Sequence, residues 1–592
     1  MKRNDILILV ALFALWLAWP ALDRHVIKKY FFPAPPPAAV EEAPPADTAS
    51  EPPALAPAES APAAEAPAPA AEVVAEAEPE DAGPETTATL EDGLLRLAIS
   101  SRGASVASAE LKQYPLTAEA DSAPVLLDFS SARALAYGGL AGLSEAVNFS
   151  LVSQAGNEIV LERTAASGLQ LQRTFQLEDG YLLKVTDRFS NRGLAALEVP
   201  GHVMHTGPMP NLPGESAMKG VVNQGVDTLS PGGEGVQHWG AKLPRWFEEV
   251  RKEKGLPRIP ERIEWPLDTP MEWVAAKNKY FAQVVVPEGG AEKAVVVARR
   301  ELPEAERQDP AAKPRGAVLA DVAVSVQFGA TALAPGEAFT RTVQCYIGPK
   351  KFDVLSRHGQ HMVDVMEFGF WAAIGKILLQ VMNGIHAHLW PHNYGIAIIL
   401  LTVLIRVVFW PITHKSTESM RKMQEIQPLV TAVRQQYKDN AQKQQQAIMA
   451  LYKEHKVNPL GGCLPMLIQI PVFIALFVVL RSAIELRFAS FLWIRDLSQP
   501  ENLLAGKLPI ALNLLPIIMA VTMAWQQKLT PSGGDPNQQK MMMFMPIMML
   551  VLFYNFASGL SLYWTTNQCL MIAQQLIAQR RKKAREAAAA AR

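Results

Sequence analysis

The pattern of apolar and polar positions divides the chain into three textures. Met1-Lys2-Arg3 precedes an uncharged run, Ile6 to Leu22, which predicts a membrane segment. Trp16, Trp19 and Pro20 crowd the place where a cleavage site would need small residues, so the expectation is an uncleaved anchor over 1–29, its N-terminus cytoplasmic.

From about Thr87 to Gly348 the texture is short runs of Val, Leu, Ile, Phe and Thr separated by Gly, Asn and Asp. In Leu169 to Phe189, the residues Leu169, Leu171, Phe175 and Leu177, then Tyr181, Leu183, Val185 and Phe189, fall at alternate positions around a turn signal, Asp179-Gly180. Further strands are expected at Glu158–Glu162, Tyr280–Val286, Ala294–Ala298, Val324–Phe328 and Thr340–Ile347. The period of two over 87–350, without long helical periodicity, predicts a large antiparallel β-sandwich, exported because it follows an N-in anchor.

After Phe352 the apolar runs lengthen. Residues 351–393 read as an aromatic-bearing amphipathic segment lying in the membrane interface. Spans follow at 394–413, 460–480 and 508–527, the last two without a charge. Met541 to Gln579 is 39 residues without charge, too long for one crossing of about 20 residues, so Ser558-Gly559 is expected to turn it into two spans, 541–557 and 560–579. With the anchor that makes six transmembrane helices, five of them after the sandwich. Six crossings return the C-terminus to the cytoplasm, where the basic tail 580–592 agrees with the positive-inside rule, although the supposedly exported Arg481–Lys507 loop holds four basic and three acidic residues.

Between the first two of those spans, 415–457 carries Met423, Ile426, Val430, Val433 and Tyr437 at spacings of 3 and 4, then Ile448, Leu451 and Tyr452 after a polar break at Lys438–Gln442. This predicts a helical hairpin on the cytoplasmic face, with Pro428 starting or kinking its first arm. It is either a solvated connector closing on itself or a docking surface for ribosome, targeting factor or nascent chain.

Composition sharpens this picture. The 592 residues are 49% hydrophobic and sum to a net charge of −1, yet no Lys or Arg stands between Tyr30 and Leu95. Residues 30–86 are dominated by Pro, Ala and Glu and read as a solvated spacer. Cys345, Cys463 and Cys569 build no disulfide framework, and His388 and His392, separated by Pro391 without a nearby acid, read as interfacial imidazoles; no metal and no cofactor is expected. No Walker-type glycine loop or catalytic triad is present.

One residue breaks the third texture: Arg406, within "ILLTVLIRVVFWPITHK". It lies about 12 Å inward from His414 at 1.5 Å per residue. An arginine facing lipid at a helix centre costs roughly 2.5–3.5 kcal/mol on insertion scales, so it should face protein, a partner charge or water. None of the other spans offers a carboxylate. Thr402 lies one turn away, Gln469 and Asn513 lie on other spans, and Thr565, Thr566, Asn567 and Gln568 cluster on the last. Neutral polar side chains around one cation describe a hydrated cavity better than a proton or ion pathway. Gly461-Gly462, Pro465 and Pro471 suggest loose packing nearby, and Met541–Met543, Met545, Met548 and Met549 form a thioether surface that can be filler or can accept varied apolar partners.

These stretches carry a resemblance. "TVLIRVVFWPIT", "KVNPLGGCLPMLIQIPVFIALF", "FLWIRDLS", "DPNQQKMMMFMPIM" and "SGLSLYWTTNQCLMIAQQ" resemble the YidC-type membrane protein insertases of the Oxa/Alb family, and "LRLAISSRGASVASAEL" with the N-terminal anchor resembles their Gram-negative bacterial form. The resemblance implies a polytopic α-helical membrane protein with a five-helix insertase core and a mutarotase-like exported sandwich. It implies no enzymatic activity. Clients would be nascent inner-membrane proteins, inserted and chaperoned alone or with the Sec translocon, the hydrophilic tail resting in a groove while the apolar segment slides along the third and fifth spans. Arg406, Thr402, Tyr563 and Trp564 would contact the client by this resemblance, with Trp564 standing where the family has tyrosine; Gln469 and Asn567 join them on polarity. Two other functions are compatible with parts of the chain. One is a secondary transporter with an exported carbohydrate-binding domain, opposed by the absence of an inverted repeat and of intramembrane carboxylates. The other is a tethered sugar-processing enzyme using His202 and His205.

Overall fold

A computed structural model describes residues 84–213, 223–233, 235–302, 318–359, 361–438, 440–455, 457, 464–505, 511–529 and 536–590. The expected anchor, nearly all of the linker and residues 458–463, with Gly461-Gly462 and the start of the expected span 460–480, lie outside these residues.

The first half is all-antiparallel β. A nine-stranded sheet runs in the spatial order 237–238, 225–229, 273–277, 281–287, 338–349, 182–191, 169–178, 158–164 and 150–155, and a second sheet is built on 262–267, 293–301, 318–328, 202–205 and 137–138. Trp273–Lys277 and Val318–Phe328 bring the two sheets into contact, and their facing rows form one apolar core. A four-stranded sheet, 87–91, 95–100, 105–115 and 124–128, adds to it. The expected hairpin forms as Leu169–Glu178 against Leu182–Asn191, and Gly180 takes φ 81° in its turn. Tyr181, expected to begin the second strand, instead sits in the turn at φ 72° and is still buried. Every expected strand is found: Phe281–Pro287 is shifted by one residue from its apolar run, and the others at 158–164, 293–301, 318–328 and 338–349 are somewhat longer than theirs.

Within this core Arg173 and Asp187 face each other in register. Arg173 donates to Asp187 Oδ1 and Oδ2 at 2.6 and 2.7 Å and to the carbonyls of Ala104 and Leu135 at 2.8 and 2.6 Å. The Tyr137 hydroxyl donates to Asp187 at 2.7 Å. Both charges are fully enclosed and fully bonded, the condition under which a buried pair is tolerated.

The second half is helical. We label Leu243–Glu253 of the β-domain α1, Phe352–Leu355 α2, Ala372–His388 α3, Tyr394–Val408 α4, Trp410–Glu425 α5, Gln427–Gln436 α6, Ala441–Glu454 α7, Leu464–Ser482 α8, Leu514–Leu529 α9, Pro536–Phe553 α10 and Ser558–Ala590 α11. Local chemistry sets several ends. Asn393 caps α4 by accepting from Gly395 N, and Asn440 caps α7 by accepting from Lys443 N. The Glu501 carboxylate reaches the Leu514 and Leu515 amides at the start of α9.

Among the described residues no helix is long and apolar enough to cross a membrane. The expected span 394–413 is divided: α4 ends at Val408 and α5 begins at Trp410, where Pro411 disfavours an uninterrupted helix. The expected span 508–527 starts late, because Asn513 binds Asn502 N and Tyr554 O outside the helix. The chain does turn at 554–557, but α11 continues through Arg580 to Ala590, so the basic tail is largely helical. The expected helical hairpin forms: α6 packs on α7, Pro428 sits in the first turn of α6, and Val430 and Ile448 are buried.

In the helical half, α3 packs on α4 and α8, α4 on α11, and α11 on α8 and α9. The β-domain is fastened to it through polar contacts. Tyr280 Oη lies 2.7 Å from Ser498 Oγ, and Arg487 donates to the carbonyls of Pro115 and Leu116. At the start of α4, Gly395 lets the Phe491 ring approach so closely that a Cβ would overlap it.

Candidate functional site

α4 and α11 are packed neighbours; the first carries Thr402 and Arg406, the second Tyr563, Trp564 and Asn567, and Gln469 comes from α8. Arg406 is half-buried. Its Nε is enclosed without a hydrogen-bond partner, and among the described residues no acid pairs with it. Its charge acts on the Tyr563 hydroxyl. Tyr563 is almost wholly buried, and Gln469 Nε2 donates to its hydroxyl oxygen. This joins three of the expected residues across three helices.

Thr402 does not line the site in this way. It is buried and its hydroxyl donates to Ile398 O at 2.7 Å, one turn back on its own helix. Trp564 faces another direction. Its ring meets Phe473 edge-on at 5.1 Å and Phe553 at 5.3 Å, and it lines an apolar cavity of about 290 Å³ between α8, α10 and α11, with Phe477, Met549 and Leu552. Asn567 is buried on α11.

Of a polar stripe on α11 the sequence singles out Trp564, Thr565 and Gln568 but not Ser561. Ser561 Oγ, Trp564 Nε1, Thr565 Oγ1 and Gln568 Oε1 are all enclosed without a hydrogen-bond partner. These positions follow the i, i+3, i+4, i+7 rule and share one helix face. Ser561 could have been found from its spacing of four before Thr565. Buried polar atoms nearly always find partners, so a row of unmatched ones marks a place for water or for a polar guest. Beside it, α10 exposes Phe544, Ile547, Met548 and Val551, again one face.

Elsewhere the chemistry is structural. His202 lies on a strand: Arg341 donates to its Nε2, its Nδ1 donates to Pro200 O, and Tyr137, Phe189 and Phe328 surround the ring. Burial pushes it down to about 4, so it stays neutral. His205 is held by Ser325 Oγ and is also depressed by burial. His388 and His392 each bond a backbone carbonyl. Asp227, His238 and Glu367 converge as metal ligands might, but Lys277 Nζ sits between Asp227 and Glu367 at 2.6 and 3.0 Å and is the cation of that cluster. Burial would depress Lys277, and the two carboxylates hold it above its usual value. Lys350, buried beside Lys277, is pushed down to about 7 by burial and by that neighbouring charge.

Comparison with known proteins divides the chain as its texture does. Residues 385–586 match the family model described as 60Kd inner membrane protein, and residues 87–381 match that of the YidC periplasmic domain. A Pelobacter propionicus protein named membrane protein insertase YidC is 32% identical over 505 residues, covering 82% of this chain and 85% of its own. A Geobacter metallireducens protein of the same name is 43% identical over 304 residues, 51% of this chain and 52% of its own. Among solved structures, an active YidC insertase is 17% identical over 85% of this chain and 94% of its own, with a TM-score of 0.32. A putative aldose 1-epimerase of Escherichia coli is 12% identical over 45% of this chain and all of its own, with a TM-score of 0.28.

Proposed function

The chain belongs to the YidC family of membrane protein insertases, and from that premise we propose that it inserts and chaperones inner-membrane proteins through a polar groove centred on Arg406. Family membership makes it an inner-membrane protein with a periplasmic domain, and its relatives are named for insertion and for no catalysed reaction. The observation that carries the groove is an arginine without an ion-pair partner among the described residues, on a helix packed against α11 and acting on the Tyr563 hydroxyl that Gln469 engages from a third helix.

In this reading water fills the groove, and a client's hydrophilic tail exchanges with that water, its acidic groups meeting Arg406 for a moment. Gln469 holds the Tyr563 hydroxyl in place at the groove wall. The client's apolar segment leaves along the exposed face of α10 and the aromatic cavity it shares with α8, where Met548 and Met549 adapt to varied side chains. Burying about 20 apolar residues in lipid is downhill, so the barrier is the polar tail. A hydrated groove shortens its apolar path, and the membrane potential draws an acidic tail outward.

The polypeptide would cross six times with both termini cytoplasmic, acting alone or beside the Sec translocon, with the α6–α7 hairpin and basic α11 end available to ribosome and targeting factors. The test is site-specific crosslinking from Gln469, Arg406 and Trp564 to a stalled nascent membrane protein. Adducts from all three are expected. Their absence from Gln469 and Arg406, with adducts elsewhere on the bundle, would remove the groove from the client's path.

A further inference from the structure

We infer that the loop between α8 and α9, residues 483–513, anchors the protein to the bilayer interface on the side of the β-domain, its apolar turn tips entering the headgroup region. This rests on the inner-membrane location of the chain and not on the groove.

The loop has an inside and an outside. Ile484, Leu486, Ile494 and Leu497 are buried in the apolar core, and Ser498 and Arg487 tie the loop to the β-domain. The tips stay open. Phe491 and Ile494 exchange backbone hydrogen bonds at 2.9 Å, and between them Leu492 is 76% exposed. Its neighbour Trp493 donates its Nε1 to Glu501 and leaves its ring partly exposed. At a second turn, closed by Ala505 N on Asn502 O, Leu504 is 53% exposed.

Single exposed apolar residues are ordinary. Two observations set these apart. The first is their backbone: Leu492 has φ 53° and Leu504 φ 56°. This left-handed region crowds a bulky side chain, and a turn facing water takes Gly, Asn or Asp there. Leucine at both positions keeps a large apolar group at the tip at a conformational cost, which an apolar neighbour offsets and water does not.

The second is their place. The Phe491 ring lies against Gly395 at the start of α4, and Asn393, the cap of that helix, donates to Ser490 O at 2.8 Å. Leu503 and Leu512 exchange backbone bonds at 2.9 Å just before α9, and the Ser558 and Gly559 amides at the start of α11 donate to Gln499 O and Leu497 O at 2.8 Å. The tips thus stand where α4, α9 and α11 begin, next to the corner between α3 and α4, where Leu389 is exposed and Trp390 is 87% exposed. Separate tips offer no continuous face to a protein partner, whereas a lipid surface accepts them one by one. Indole rings and leucines beside an exposed cation, Arg495, suit the boundary between acyl chains and phosphates.

The test uses the full chain with Leu492→Cys or Leu504→Cys, Cys463 and Cys569 replaced by Ala, and the wholly buried Cys345 kept. An environment-sensitive nitrobenzoxadiazole label is attached and the protein is reconstituted in phosphatidylethanolamine–phosphatidylglycerol vesicles. The same label on Leu194→Cys is the aqueous reference: Leu194 is fully exposed, near the start of the strand 338–349 whose other end leads to the helices. Both loop labels should emit to the blue of the reference, resist iodide, and lose intensity to nitroxide lipids, most to a nitroxide near the headgroup. If either loop label is quenched by these lipids no more than the reference, the loop is no interfacial anchor. Iodide access would then leave the tips in water, and a shielded but unquenched label would give them to a protein partner.

Discussion

Arg406→Ala should separate stability from activity. Removing one partner of a buried ion pair strands the other charge and costs about 3–5 kcal/mol. Arg406 has no such partner among the described residues, so that penalty is absent. Instead the substitution removes a half-buried cation whose placement at a helix centre costs roughly 2.5–3.5 kcal/mol. Against this stands the lost packing of its aliphatic stem, about 1–2 kcal/mol for a partly buried side chain. The net change is a gain of about 0.5–2.5 kcal/mol, a midpoint rise of roughly 1–10 °C for a domain of 150–250 residues. The assay pairs tryptophan-detected unfolding of the full chain in detergent with insertion, in reconstituted vesicles, of a small client bearing a charged tail. Insertion should fall in Arg406→Ala and be largely kept in Arg406→Lys. A fall in midpoint as large as that of a broken ion pair would mean that Arg406 has a structural counter-charge. Full insertion by both variants would refute the groove.

Three further outcomes follow from buried charge and capping. Asp187→Ala leaves Arg173 with carbonyl partners and no counter-charge, and denaturant unfolding of the full chain should show a loss of about 3–5 kcal/mol. Lys350, with a folded value of about 7 against an ordinary 10.5, opposes folding in its charged form. That penalty is complete below pH 7 and fades as pH rises toward 10.5. Lys350→Met should therefore exceed wild type in midpoint at pH 6 to 7 and converge with it at high pH; parallel curves would refute the assignment. Glu501→Ala uncaps α9 and should cost about 1 kcal/mol in the same unfolding assay.

The β-domain was legible because period two and turn chemistry are local signals: alternate residues of 169–177 and Asp179-Gly180 define a hairpin wherever they occur. Its buried polar pair was passed over, since Arg173 stands at the one alternate position that is not apolar. The membrane half was legible in its order but less so in its ends. Pro411 divides an apolar run that hydropathy reads as continuous, and Asn513 leaves its helix to bind two distant segments. At the candidate site, polarity alone singled out Gln469, which does meet Tyr563. It could not tell that Thr402 turns inward onto its own backbone, because hydroxyl direction depends on side-chain torsion, which spacing does not encode.

The pair at the centre of the sandwich also bears on how the hairpin finds its partner strand. A slip of one residue would turn every apolar side chain outward and is rejected by burial. A slip of two keeps both apolar faces inward, and the alternation cannot detect it. In that misaligned state Arg173 would oppose Val185 or Phe189 and Asp187 would oppose Phe175 or Leu171, placing two unmatched charges in oil. The ion pair thus works as a proofreading mark, admitting one alignment out of a series that hydrophobicity scores as equal.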